Sequence, residues 1–228
     1  MSRAFRSFAG NPLLSPIAHP VKTTAQAKEA LRERFRAFRA QLSEAEYRAR
    51  SRAIVARMLT VPELGQAETI HVYRPMTARR EVDVRPLMAH LATKNKQIVL
   101  PVVVTFGRAK AGAPRLRLVR LTGETTFRVN RWGIHEPVGG ETVPPEALDL
   151  VIVPALGAGR NGFRIGQGLG YYDEFLAGLT VPTLCPVYAE CLVESVPAEP
   201  HDVPVSILVT EHEVVRTTPT VTSPSEEP

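Results

Sequence analysis

The run Leu148–Pro154, LDLVIVP, is apolar and rich in β-branched residues, and six glycines follow it between Gly157 and Gly170. Such a run fits a strand buried on both faces of a sheet. A strand of that kind needs covering layers on either side, which points to a layered α/β fold. The rest of the chain alternates accordingly. Gln26–Leu59 is a helical pattern with Leu31, Phe35, Phe38 and Leu42 on one face, and the capping box of Ser43 and Glu46 divides it into two helices. Strands are expected at Thr69–Tyr73, Gln97–Val104, Pro114–Leu121, Pro182–Tyr188 and Ile207–Thr210, with helices at Arg85–Thr93 and Tyr171–Leu179. This predicts one three-layer α/β/α domain over residues 25–215 with a largely parallel, mixed sheet. Residues 1–24 hold Pro12, Pro16 and Pro20, Arg3 and Arg6, and no carboxylate. They read as a flexible tail, with a mitochondrial presequence as the alternative. Residues 216–228, rich in Thr, Pro, Ser and Glu, read as a second tail.

Composition narrows the function. Hydrophobic residues make up 44% of 228, which fits a globular chain. No run approaches the roughly 20 apolar residues of a spanning helix, so no membrane partner is expected. The formal net charge of +5 suits an anionic ligand or a nucleic acid. Arginines of the first helices are interleaved with Glu29, Glu33, Glu44 and Glu46, the pattern of a solvated face, and no nucleic-acid motif is present. A small-molecule enzyme is therefore favoured over a nucleic-acid binder. Cys185 and Cys191 have neither metal-ligand spacing nor the numbers for a disulfide scaffold, as in a reducing cytoplasmic compartment.

The chemistry concentrates in Asp149–Leu176. Glycines let backbone N–H groups approach an anion, and the start of the following helix adds positive potential. Ligands of open α/β sheets bind beyond the carboxyl ends of the strands, where this loop must lie. It is neither a Walker A loop nor a clean dinucleotide fingerprint. Arg164 is suited to clamp a phosphate and Asp173 to hold a magnesium ion bridging phosphate oxygens. The competing reading is a long glycine turn beside a packing pair, Tyr171 and Tyr172.

The segment resembles the signature of the 5-formyltetrahydrofolate cyclo-ligase (methenyltetrahydrofolate synthetase) family, which typically reads PGLAFDxxGxRLGxGxGYYDxxL. Lys28, Leu31 and Arg32 resemble its early Lys-x-x-Leu-Arg motif, Glu81–Val84 its mid-chain acidic motif, and Trp132, Gly133, Ile134, Glu136 and Pro137 its WGIxEP stretch. The run PAEPHDVPVSILVTE, ending at Glu211, is similar to its C-terminal stretch. The resemblance implies a Rossmann-like (NagB–RpiA–CoA-transferase-like) fold and a monomeric, magnesium-dependent enzyme. Its reaction converts 5-formyltetrahydrofolate and ATP into 5,10-methenyltetrahydrofolate, ADP and phosphate. It implies that Lys28, Arg32, Arg164, Gly166, Gly168, Gly170 and Tyr172 bind ATP, with Arg164 and Lys28 acting in catalysis and Asp173 near magnesium. Glu81 would then hold the pterin edge, with Trp132 and Tyr171 as flat walls of the folate site.

The chain departs from the pattern in five places. Ala158 and Gly159 replace a Phe–Asp pair, Gln167 and Leu169 stand between the later glycines, and Glu174 follows the YYD motif. Leu169 is expected to keep a negative φ and to point into the apolar layer beneath the loop. Two readings stay open: a working cyclo-ligase, or a silent or re-purposed relative that binds a nucleotide or heterocycle.

Overall fold

The computed structural model describes residues 23–104, 115–130 and 133–217. Helices are α1 (Thr24–Gln41), α2 (Glu44–Met58), α3 (Pro62–Gln66), α4 (Arg85–Thr93) and α5 (Tyr171–Leu176). The strands, in chain order, begin with β1 (Thr69–His71), β2 (Gln97–Val103), β3 (Leu116–Arg120), β4 (Phe127–Val129), β5 (His135–Pro137) and β6 (Leu150–Ile152). They continue with β7 (Gly157–Gly159), β8 (Arg164–Ile165), β9 (Thr183–Pro186), β10 (Leu192–Val193), β11 (Ile207–Val209) and β12 (Val214–Arg216). The break between α1 and α2 falls at Leu42–Ser43 as the capping box predicts. Thr23 caps α1 and Ser43 caps α2, each with a reciprocal bond at the third helical residue.

Seven strands form one sheet in the order β12-β11-β9-β6-β1-β2-β3. The neighbours from β11 through β2 pair in parallel, and β12 and β3 close the two edges antiparallel. Alternation along the strands sorts side chains into two cores. Ile70, Ile98, Leu100, Leu150, Ile152 and Leu184 face one way, with Phe35 of α1, Ile54 of α2 and Leu87 of α4. Val99, Val151, Cys185 and Leu208 face the other, with Leu176 of α5. The fold class is the expected α/β one, but its second layer holds one short helix. α5 ends at Leu176, three residues before the predicted Leu179, and the remaining cover comes from connecting segments such as Val143, Leu148 and Val205.

Two elements shape the face of the sheet at its carboxyl ends. The chain leaves β1 toward β2 on one side and returns through β6 on the other, so β1 and β6 flank a topological switch point. A small sheet, β10-β7-β8, stands just past β6 and carries the first half of the glycine-rich segment. Beneath α5, the buried His71 ring packs 5.7 Å from Tyr172 and 5.3 Å from Phe175, and burial pushes its pKa down to about 4. The imidazole is therefore neutral and serves as a packing group.

Candidate active site

A cavity of about 440 Å³ opens at the switch point. Its walls come from the carboxyl ends of three neighbouring strands: Tyr73 and Arg74 after β1, Pro101 and Val103 in β2, and Pro154–Leu156 after β6. Lys28, Arg32, Glu81, Arg164, Gly166, Gly168, Gly170, Tyr171, Tyr172 and Asp173 all line it. Residues from widely separated stretches of the chain thus meet in one space. Trp132 lies outside the described residues.

At one end each cation already has an anionic or carbonyl partner. Lys28 Nζ donates to Glu199 at 2.7 Å and to Asp202 at 2.5 Å. Burial alone would lower its pKa, but the two carboxylates outweigh burial and raise it. Arg32 donates through Nε to the Gly166 carbonyl at 3.1 Å and through Nη1 to Glu29 at 2.8 Å. Arg164 does not present the open fork expected for a phosphate clamp. Its guanidinium is nearly enclosed and donates to the Val203 carbonyl at 2.5 Å and to Asp173 at 2.9 Å.

The loop Gly166–Gly170 runs across this end. Gly168 and Gly170 adopt φ of +90° and +69°, a region that side chains beyond glycine enter at a cost. A Cβ on Gly166 would meet nothing within 4 Å, so the fold itself does not demand glycine there. Leu169 keeps a negative φ, as expected, but it does not turn beneath the loop: the residue is 49% exposed and lines the cavity. Gln167 is held from α1 by Arg36, whose Nη2 lies 3.3 Å from its amide oxygen. The replacement of Asp by Gly159 also has a physical reason. A Cβ there would lie 2.5 Å from the Val196 nitrogen, in space filled by Asn161, whose amide donates to the Val196 carbonyl and accepts from its N–H.

The other end is a buried carboxylate. Glu81 is 5% exposed, and one oxygen accepts the Met76 N–H at 2.8 Å. Burial raises its pKa above the usual 4.5, opposed by the positive charges of Arg39 and Arg79. The preceding turn is forced. Arg80 sits at φ +51°, a left-handed conformation costing a non-glycine residue about 1 kcal/mol, and its carbonyl accepts the Tyr188 hydroxyl at 3.0 Å.

Three residues here escaped the sequence reading as individuals. Arg39 is 2% exposed and donates to the Ala155 carbonyl, while its Nε and Nη1 find no partner among the described residues. Its position on α1, one turn after Phe35, was hidden among many surface arginines. Glu136, part of the recognised Trp-Gly-Ile-x-Glu-Pro stretch, is buried in the cavity wall and accepts the Val103 N–H at 3.1 Å. Tyr73 closes the floor, its hydroxyl donating to the Val82 carbonyl at 2.9 Å.

The switch-point cavity, with cations at one end and a carboxylate at the other, defines an α/β enzyme with its substrate site at the strand ends. The sequence matches the model of the 5-formyltetrahydrofolate cyclo-ligase family over residues 24–211. It is 32% identical to the 5-formyltetrahydrofolate cyclo-ligase of Escherichia coli K12, over 69% of this chain and 86% of that protein. Against the same enzyme of Haemophilus influenzae the identity is 28%, over 78% of this chain and 95% of the relative. The solved structure of Aquifex aeolicus 5,10-methenyltetrahydrofolate synthetase superposes with a TM-score of 0.70 at 31% identity, covering 88% of this chain and 96% of that one. The chain belongs to the 5-formyltetrahydrofolate cyclo-ligase family.

Proposed function

We propose that the protein converts 5-formyltetrahydrofolate to 5,10-methenyltetrahydrofolate at the expense of ATP. The observation that carries this reading is the pairing, in one cavity, of a glycine loop flanked by Lys28 and Arg32 with the buried carboxylate of Glu81. The family membership supplies the reaction. The formyl oxygen is a weak nucleophile and a poor leaving group. Its attack on the γ-phosphorus releases ADP and makes it a good leaving group; N10 then attacks the formyl carbon, its proton is lost, and phosphate departs as the ring closes.

The protein's part is positioning and charge neutralisation. Backbone N–H groups of Gly166, Gly168 and Gly170 face the triphosphate, and Lys28 and Arg32 transfer from their resting partners to its oxygens. Arg164 acts mainly through Asp173, whose orientation it fixes by their ion pair. Tyr172 borders the nucleotide half and Tyr171 the folate half. Glu81 accepts two parallel hydrogen bonds from the guanidine-like edge of the pterin, and Trp132 is assigned a flat face on the folate.

The donor set fits a magnesium ion. Asp173 uses only one carboxylate oxygen, toward Arg164 and the Val203 N–H, and its other oxygen has no hydrogen-bond partner among the described residues. One or two carboxylates plus phosphate oxygens are the usual magnesium environment. Held by Asp173, the ion would supply positive charge to neutralise the phosphates. The two cysteines are unpaired and buried, and no helix among the described residues is long and apolar enough to cross a membrane. A monomeric enzyme of the cytoplasm is the reading that follows from the family resemblance.

The deciding measurement is the absorbance of methenyltetrahydrofolate formed from 5-formyltetrahydrofolate, with and without ATP and magnesium. Product that requires both ATP and magnesium is the expected result. A folded protein that binds folate and forms no product would identify a silent relative instead.

A further inference from the structure

The loop Gly166–Gly170 has little secondary structure to hold it, since β8 ends at Ile165 and α5 starts at Tyr171. Two arginines from outside the loop grip its ends. Arg32 of α1 bonds the Gly166 carbonyl. At the far end, Arg115, the residue before β3, donates through Nη1 to the Leu169 carbonyl at 3.0 Å. Its guanidinium carbon stands 4.5 Å from the centre of the Tyr171 ring, within cation–π range. Its Nε lies 2.6 Å from a Glu174 carboxylate oxygen on α5. Its Nη2 would be 3.4 Å from a Cβ on Gly170, so the guanidinium passes close under the left-handed turn of the loop. The Arg115 carbonyl in turn accepts the Val104 N–H at 3.0 Å, which ties it to the end of β2. Arg115 itself is largely buried, while Leu169, whose carbonyl it holds, is exposed.

We infer that Arg115 is a positioning residue for the nucleotide: through Leu169, Tyr171 and Glu174 it fixes the second half of the glycine loop to the edge of the sheet. This rests on reading the loop as the phosphate cradle. The chemistry suits arginine specifically. A planar guanidinium can stack on the Tyr171 ring and at the same time donate to a carbonyl and pair with a carboxylate, whereas a lysine ammonium offers one compact charge. Backbone N–H groups bind phosphate well only when their directions are set beforehand. Releasing the Leu169–Gly170 segment therefore weakens nucleotide binding more than it weakens folate binding, which it reaches only through the Tyr171 ring.

The test compares wild type with Arg115→Met, Arg115→Lys, Glu174→Gln and the double variant Arg115→Met/Glu174→Gln. Binding of a non-hydrolysable ATP analogue with magnesium is measured by calorimetry, together with the KM for 5-formyltetrahydrofolate and the Tm. Arg115→Met should bind the analogue at least tenfold more weakly, with a clearly smaller rise in the folate KM through Tyr171 and a small change in Tm. Arg115→Lys should recover part of the loss. The double variant should be no worse than Arg115→Met, because the Glu174 contact acts through Arg115. Equal analogue binding by wild type and Arg115→Met would overturn the inference and leave the cradle reading intact. So would a loss of analogue and folate binding in step with a large fall in Tm, the mark of a merely structural contact. A wild-type protein that binds no analogue would sink the cradle reading and this inference with it.

Discussion

The two ends of the cavity handle charge in opposite ways. At the glycine-loop end, Lys28 and Arg164 lie within 3 Å of a carboxylate, and Arg32 touches both Glu29 and a loop carbonyl. At the far end Glu81 is buried with one backbone N–H as its hydrogen-bond partner, and the charges of Arg39 and Arg79 act on it without a direct ion pair. The first end is neutralised internally, so an arriving triphosphate has to displace carboxylates. The second end is an acceptor with capacity to spare, which favours a ligand carrying paired N–H donors. Exchange of partners costs little net electrostatic energy, whereas an unfilled buried carboxylate is expensive.

The largest effect should therefore come from Glu81. Glu81→Gln keeps the volume and the acceptor toward Met76 but removes the charge, so kcat/KM for the folate should fall by about a hundredfold or more, two charge-assisted bonds being weakened at about 1.5–3 kcal/mol each. The KM for ATP should stay within a few-fold. If ATP suffers instead, the ends have been assigned the wrong way round. The same carboxylate sets the pH dependence. Burial raises its pKa above 4.5, so binding that needs the ionised form is complete well above that value and is lost as pH falls through it. The acid limb of kcat/KM for the folate should lie above pH 4.5 and disappear in Glu81→Gln.

Lys28→Met comes next. It removes a cation from between Glu199 and Asp202, so like charges face the incoming phosphates, and the KM for ATP should rise about tenfold to a hundredfold. A variant with unchanged ATP dependence would show that Lys28 only ties α1 to the segment carrying Glu199 and Asp202.

Legibility in the sequence follows the same division. The glycine loop and the Tyr pair were readable because their spacing is local, and the longer strands because their alternation or apolar runs are; Lys28 was singled out only through the family resemblance. The charge state of the loop end was not readable. Arg164 looks like a free clamp until Val203 and Asp173, 39 and nine residues away, are brought against it. Glu81 was legible as a residue, but its burial depends on the strained turn at Arg80, which no local rule predicts. Asn161 filling the space at Gly159 is equally non-local in effect, since its partners are Ser195 and Val196. Short strands such as β7, β8 and β10 escaped because two or three residues carry no periodicity.

A smaller effect separates the fold's need for glycine from the ligand's. Gly166 has open space where a Cβ would stand and no positive φ, so Gly166→Ala should leave Tm within about two degrees of wild type, the usual range for a surface change. Gly166 lines the cavity, so an added methyl crowds the phosphate cradle and the KM for ATP should rise by several-fold. A fall in Tm with unaltered ATP use would mean that the loop's glycines serve packing alone.

The smallest expected effect is at Leu169. It contributes its carbonyl to Arg115, while its side chain stands half in solvent at the cavity wall. A lysine there would add a charge near the phosphates without disturbing the backbone, because the residue already has a negative φ. An exposed cation gains little, since water and salt screen it and its flexible side chain must be ordered. Leu169→Lys should therefore tighten ATP by less than tenfold, within about 1.4 kcal/mol, with most of the gain lost at high ionic strength. Turnover that rises from nothing on making this substitution would contradict the view of a loop that works through backbone donors. It would show that the cation end of the cavity is one charge short in the natural chain.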